Sequence, residues 1–522
     1  MKTLPPQMKK QGLFAGTVVL LCSNLFVKGI GFFYRVFLVR LLGTEGIGLI
    51  EMVIPLYSFL LVIAGWGISL ATSQSIAEAS VQNKQKDAMD TFKTAFLILG
   101  LFGLIITVLS WLLLPYLVKY FVPDQRIFLC FQYILPSIMI ITVASAYRGY
   151  FQGVRQISNL GMSQSIEQSL RVAFGIVLTL QLLQMPLEKA VTAPAIATVI
   201  GEAGGFCYLL YCMNREKRAH PLLPRGQFQP IIARRLLKFG TPVTIGRVAT
   251  TAIFMLQAFL IPFSLQQAGW DTHQATEIYG RFAGVCMTLL HLPGIFTNAL
   301  SVSVVPAIAE TYAANHKLFS SRIINSLQAT MVFTFPGMIL LFLFADELCN
   351  WLFNSPLSAP TLRLLTIAGI FIYMQGTLGS ILQGMGRVKQ LLIYSIISGA
   401  ILLIGIILLT PIPQLGINGV AIAVNLSALV GFGLNLGYLL KISQVKLPWN
   451  NIFGKPLTAG LICLLIGVFL KPYLYQWIGL DIKIAALIAA LLLFILYFII
   501  LSISGGLDLS IIKRHLSNRK PV

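Results

Sequence analysis

Apolar runs long enough to cross a hydrocarbon core recur along this chain at intervals of roughly twenty to forty residues, and no other feature limits its fold as tightly. Leu461–Leu470 and Ile484–Leu501 are two such runs, each bounded by short polar segments. A helix satisfies its own backbone, so it can pass such a run through lipid, where no water bonds the N–H and C=O groups. With 57% hydrophobic and 11% charged residues in 522, the chain lacks the polar surface of a soluble multidomain enzyme. The reading is an all-α polytopic membrane protein of about fourteen transmembrane helices, beginning with 13–37 and 46–72 and ending with 453–470 and 484–503. The first apolar stretch follows Lys9 and Lys10 but is too long for a signal peptide and lacks a small-x-small cleavage site, so it is expected to be a retained span.

The formal net charge of +21 would point to nucleic acid in a soluble protein, so its placement matters. With the N-terminus inside, basic residues crowd the cytoplasmic segments, densest at Arg215, Lys217, Arg218, Arg225, Arg234, Arg235 and Lys238. The outer segments hold only Arg40, Lys119, Arg126, Lys189, Arg363, Lys471 and Lys483. This asymmetry follows the positive-inside rule and assigns the excess to topology and anionic lipid rather than nucleic acid. The seven cysteines show no CxxC and no paired extracellular spacing, and read as packing residues.

Three landmarks repeat at an offset of roughly 230 residues. Ile76-Ala77-Glu78 answers Ile308-Ala309-Glu310, Gln152-Gly153 answers Gln383-Gly384, and Gly201 with Tyr208-Leu209-Leu210 answers Gly431 with Tyr438-Leu439-Leu440. The repeat predicts two pseudo-symmetric six-helix lobes in the same orientation, with a C-terminal helix pair appended, an architecture suited to alternating access. The expected divisions are an N-lobe at 1–213, a basic cytoplasmic linker at 214–235, a C-lobe at 236–440, and a final pair with a basic tail at 441–522.

Charges inside spans are the candidate chemistry, because each costs at least about 2.5–3.5 kcal/mol at the bilayer centre unless it faces water or a partner. Lys28 and Arg35 share one face of the first span with Asn24 and Gly31. Arg247 occupies the matching place in span 7, beside Thr244 and Thr251. Glu167 precedes Arg171 by four residues and Glu277 precedes Arg281 likewise, the order that favours an ion pair along one helix. Glu51 and Glu202 remain as acids that pair with Lys28 or Arg35, bind a coupling cation, or sit near an interface. The unpaired surplus is then cationic, and a cleft lined by Lys28, Arg35 and Arg247 would prefer an anion such as phosphate or pyrophosphate.

No GxxxxGK[ST] loop, HExxH or EF-hand pattern occurs, and Gly454-Lys455 runs into Pro456. No metal set is expected from His220, His273, His291, His316 and His515, which lie in loops, in the tail or singly in a span. The chain reads as a transporter rather than an enzyme, without cofactor, driven by a coupling ion, the membrane potential or consumption of its substrate.

Phe26–Gly43, the segment Tyr147-Arg148-Gly149-Tyr150-Phe151-Gln152-Gly153, and Leu292-Pro293-Gly294 through Val304–Glu310 resemble the stage V sporulation protein B group. That group is the polysaccharide-biosynthesis branch of the MATE-like flippase (MOP) superfamily, to which the lipid II flippase MurJ also belongs. The resemblance implies a two-lobed bundle in the bacterial cytoplasmic membrane, both termini cytoplasmic. It also implies transfer of an undecaprenyl-pyrophosphate-linked sugar precursor, lipid II or a related lipid-linked oligosaccharide, to the outer leaflet. First-span cations that contact pyrophosphate in MurJ-like proteins map onto Lys28 and Arg35, and the last helix pair onto a groove for the prenyl tail. Span 2 departs from the pattern, carrying Glu51, Met52, Val53 and Pro55 where basic residues are expected. A multidrug or cation antiporter, and a membrane scaffold that recruits peptidoglycan synthases through the basic linker, are the competing readings.

Overall fold

The computed structural model describes residues 13–219, 224–312, 316–477 and 482–506. Lys2, Lys9 and Lys10 at one end and the basic tail with Lys513, Arg514, Arg519 and Lys520 at the other lie outside them, as do His220 and His515. Helices account for the ordered elements, and there is no strand among the described residues. The chain forms two compact units, Met1–Pro262 with Thr272–Gly280, and Phe263–Asp271 with Arg281–Val522.

Unit 1 contains α1 (Leu13–Gly65), α2 (Ile68–Val81), α3 (Gln85–Phe121), α4 (Ile127–Ile134), α5 (Pro136–Gly153), α6 (Ile157–Leu182), α7 (Leu187–Ala190), α8 (Thr192–Ala219), most of α9 (Pro230–Gln267), and α10 (Thr272–Gly280). α1 is two helical arms that meet at Gly43, whose φ of 71° lies in the left-handed region that a side chain disfavours. The arms are the expected spans at 13–37 and 46–72, and the second continues past a break at Trp66 and Gly67 into α2. Ile68, Ile76, Phe92, Leu99, Tyr150, Phe151, Leu209 and Leu236 form a buried apolar core joining α2, α3, α5, α8 and α9.

The two compact units divide within α9, after Pro262. Gln227 N–H donates to Asp90 Oδ1 at 2.7 Å and Gln229 N–H to Thr94 Oγ1 at 3.1 Å, which fastens the chain before α9 along α3. Trp66 Nε1 donates to Thr241 Oγ1 at 3.1 Å, and Leu236 is fully buried in the same core. Within the basic stretch 214–235, α8 runs to Ala219 and α9 begins at Pro230.

Unit 2 opens with a π-helical turn, Arg281–Cys286, followed by α11 (Met287–Leu290), α12 (Gly294–Tyr312), α13 (His316–Leu343), α14 (Ala345–Phe353), α15 (Ala359–Gly384), α16 (Val388–Leu409), α17 (Ile417–Ser443), α18 (Lys455–Trp477) and α19 (Ile482–Ile503). Ile308, Ile323, Met331, Met374, Leu378, Leu439 and Tyr497 are buried at its centre.

Among the described residues, eleven helical stretches are long and apolar enough to cross a membrane, one of them the kinked Cys22–Val81. Two expected spans fall outside that set. The helix of 157–183 carries Glu167, Gln168 and Arg171, which lower its hydropathy, and 275–305 is broken at His291-Leu292-Pro293 into shorter pieces. The molecule is a multi-pass, all-helical membrane protein.

Candidate functional site

The charges well inside the expected spans of unit 1 sort, among the described residues, into neutral sets and two unpaired cations. Arg35 on the first arm of α1 pairs with Glu51 on the second. Sixteen residues of straight helix would hold them roughly 24 Å apart, so the pair depends on the sharp fold-back at Gly43. Both side chains are largely shielded, at 25% and 13% exposure. The Glu51 carbonyl also accepts a hydrogen bond of 3.2 Å from the buried Tyr279 hydroxyl of α10. Of the two partners considered for Glu51, the structure selects Arg35.

A second set is a closed ring of four. Arg171 lies 2.6 Å from Glu167, one turn earlier on α6, and 2.8 Å from Glu202 on α8. Arg148 on α5 closes the ring at 3.0 Å from Glu167 and 3.4 Å from Glu202. The expected Glu167–Arg171 pair is present, but it is half of an assembly tying three helices together. Glu202 is the most buried member, its side chain 7% exposed. Such a ring gains little net stability over an apolar core, whereas removing one member strands its partners at a cost of about 3–5 kcal/mol. Arg148 carries no local sequence signal for this place: it sits near the end of its span in the Tyr147–Gly153 segment, and nothing nearby in sequence announces a partner on α6 or α8.

The α6–α1 contact joins the ring to the cationic face of the first span. Ser23 Oγ donates to Gly161 O at 2.6 Å, and a Cβ added at Gly31 would lie 3.3 Å from the Gln168 amide. Higher up, the buried Tyr34 packs its ring against Gly175, where an added Cβ would lie 2.8 Å from Cε2. Asn24 and Lys28, on that face, are exposed.

Lys28 and Arg247 make no side-chain hydrogen bond or ion pair among the described residues, and both are exposed. Arg247 is in unit 1, where Thr251 Oγ1 caps its carbonyl at 2.8 Å. Glu277 accepts a hydrogen bond of 3.2 Å from Thr44 on α1, and Arg281 opens the π-helical turn of unit 2. With Arg35 and the ring neutralised internally, Lys28 and Arg247 are, among the described residues, the cations well inside unit 1's expected spans without an ion-pair partner.

One corner of unit 1 holds a further polar cluster. Arg126 spans Asp124, at 2.6 Å, and Glu45, at 2.5 Å, and His273 Nδ1 lies 2.8 Å from the same Glu45. Burial alone would raise the Asp124 carboxyl, but hydrogen bonds from Arg126 and from Thr276 Oγ1 outweigh it and hold the group below the ordinary carboxylate value. No group of three or more metal-ligating side chains occurs among the described residues.

A family model described as polysaccharide biosynthesis protein matches residues 13–312. Stage V sporulation protein B of Bacillus subtilis (strain 168) is 28% identical over 473 residues, covering 90% of this chain and 91% of that protein. Among solved structures, the lipid II flippase MurJ in an inward closed conformation superposes with a TM-score of 0.73 at 17% identity, covering 93% of this chain and 98% of that one. An inward-facing multidrug resistance MATE family transporter of the MOP superfamily gives 0.67 at 14% identity, covering 82% and 99%. The fold is that of the MATE-like superfamily.

Proposed function

The chain belongs to the polysaccharide biosynthesis protein family, and on that premise we propose that it is a flippase carrying an undecaprenyl-pyrophosphate-linked sugar precursor, lipid II or a close relative, from the inner to the outer leaflet of the bacterial cytoplasmic membrane. The observation that carries this reading is the sign of the unpaired charge. Glu51, Glu167 and Glu202, the acids within the expected spans before α9, are paired with Arg35, Arg148 and Arg171, while Lys28 and Arg247 are exposed cations within expected spans. An ammonium and a guanidinium suit a diphosphate, the first as a point charge and the second as a fork. Arg35 is the third ligand, released from Glu51 when the diphosphate takes its place.

The precursor is loaded with its diphosphate on Lys28, Arg35 and Arg247 and released outward by alternating access. No covalent step is involved. Both chain ends face the cytoplasm. A cation exporter would need unpaired carboxylates in place of Lys28 and Arg247, so the multidrug reading is the weaker one.

The test is transfer of fluorescent lipid II in vesicles containing only the purified protein, alongside teichoic-acid and capsule precursors. Transfer of at least one pyrophosphate-linked precursor, lost in Lys28→Ala and Arg247→Ala, is expected. Full transfer by both variants would sink the assignment, and binding without transfer would favour a scaffold.

A further inference from the structure

We infer that the Arg148–Glu167–Arg171–Glu202 ring is a positioning device for the cationic face of the first span, acting through Gln168 on Gly31. The inference rests on the reading of Lys28 and Arg35 as diphosphate ligands given above.

The ring lies on the side of α6 toward α5 and α8, and Gln168 reaches the side toward α1. Gln168 is 7% exposed, and its amide has two neighbours that matter. Arg171 Nη1 donates to Gln168 Oε1 at 3.4 Å, while Gln168 Nε2 stands where a Cβ on Gly31 would come within 3.3 Å. Arg171 is itself held by two carboxylates through Nη2, so the amide cannot swing away without giving up its hydrogen bond to a fixed guanidinium. Gly31 lies between Lys28 and Arg35 on their own helical face. The space over Gly31 at that level is therefore bounded by an amide that the ring helps to orient.

The neighbouring contacts fix the register without explaining the ring. Ser23 against Gly161 and Tyr34 against Gly175 pin α1 along its length and involve no charge. A four-charge ring is an expensive way to join α5, α6 and α8, whose interface is already close-packed at Gly201 and Gly205, where added Cβ atoms would lie 2.7 Å from Glu167 O and 3.1 Å from Glu167 Cβ. Its distinctive product is a fixed guanidinium beside Gln168. Displacing reacting or binding groups by a fraction of an ångström is enough to change affinity strongly without unfolding a helix bundle.

The experiment measures binding of undecaprenyl pyrophosphate to the detergent-purified full chain, with the thermal unfolding midpoint of every variant. Gly31→Ala should weaken binding roughly tenfold at an unchanged midpoint, and Gly31→Ala/Gln168→Ala should recover most of the loss. Glu202→Gln should weaken binding similarly, and the charge-balanced Arg148→Gln/Glu202→Gln should recover part, since Glu167 alone still holds Arg171. Parent-like binding by Gly31→Ala and Glu202→Gln would overturn the positioning role while Lys28→Ala still bound poorly. A Gly31→Ala loss that Gln168→Ala fails to relieve would overturn the route through the amide. Parent-like binding by Lys28→Ala would instead remove the diphosphate site on which the inference stands.

Discussion

Arg35 and Glu51 lie at equal sequence distances on either side of Gly43 and meet as an ion pair across the fold-back that this glycine makes. The substrate-free protein thus keeps a carboxylate on the guanidinium that the proposed diphosphate would occupy.

Glu51→Gln removes that internal competitor. The variant should bind undecaprenyl pyrophosphate more tightly, by roughly tenfold, because a charge-assisted hydrogen bond of about 1.5–3 kcal/mol no longer has to be exchanged. Its unliganded unfolding midpoint should fall, and ligand should raise it by more than in the parent. Calorimetric titration and thermal unfolding in the same detergent check both.

Gly43→Ala places a side chain at φ 71° and should destabilise the protein by about 1–3 kcal/mol. Gly43→Asn should cost as much as Gly43→Ala, since ψ 174° takes the residue outside the left-handed helical region that Asn tolerates. A fall of both midpoints is the readout, and an unchanged midpoint in Gly43→Ala would mean that the turn relaxes.

Lys28→Ala and Arg247→Ala should each weaken diphosphate binding by roughly tenfold or more. Both cations are exposed, so raising salt from low to physiological ionic strength should weaken parent binding and each variant should show a shallower salt dependence.

Asp124 supplies the pH prediction. Its folded carboxyl titrates below the ordinary value of 3.8, so the unfolded chain binds the proton first as pH falls. The stability it contributes is complete above that value and is lost as pH drops toward its own lower one. Asp124→Asn should lower the midpoint at neutral pH and flatten its decline in acid, the difference from the parent closing at the acid end.

Much of this arrangement is legible in the sequence where the signal is local. Apolar runs fix the helices, and the four-residue step from Glu167 to Arg171 fixes one side of the ring. The rest depends on contacts between distant segments. Arg148 and Glu202 join the ring only because α5, α6 and α8 pack together, and the Arg35–Glu51 pair needs a left-handed glycine that hydropathy cannot distinguish from the glycines around it. The attachment of α9 to unit 1 rests on Asp90 and Thr94 accepting backbone N–H groups, a use of polar side chains that leaves no pattern. The broken span at His291-Leu292-Pro293 reads as one apolar stretch until the pieces are seen.

Helical residues run up to Gly43 from both directions, so the first two spans are joined without a connecting loop. A protease, an antibody or an inserted reporter aimed at that junction finds no slack to take up. Lengthening it even slightly would slide one arm past the other and carry Glu51 away from Arg35. Topology probes for this end of the molecule therefore belong in the segment around Pro186, between α6 and α7, where the chain leaves the helix before it turns.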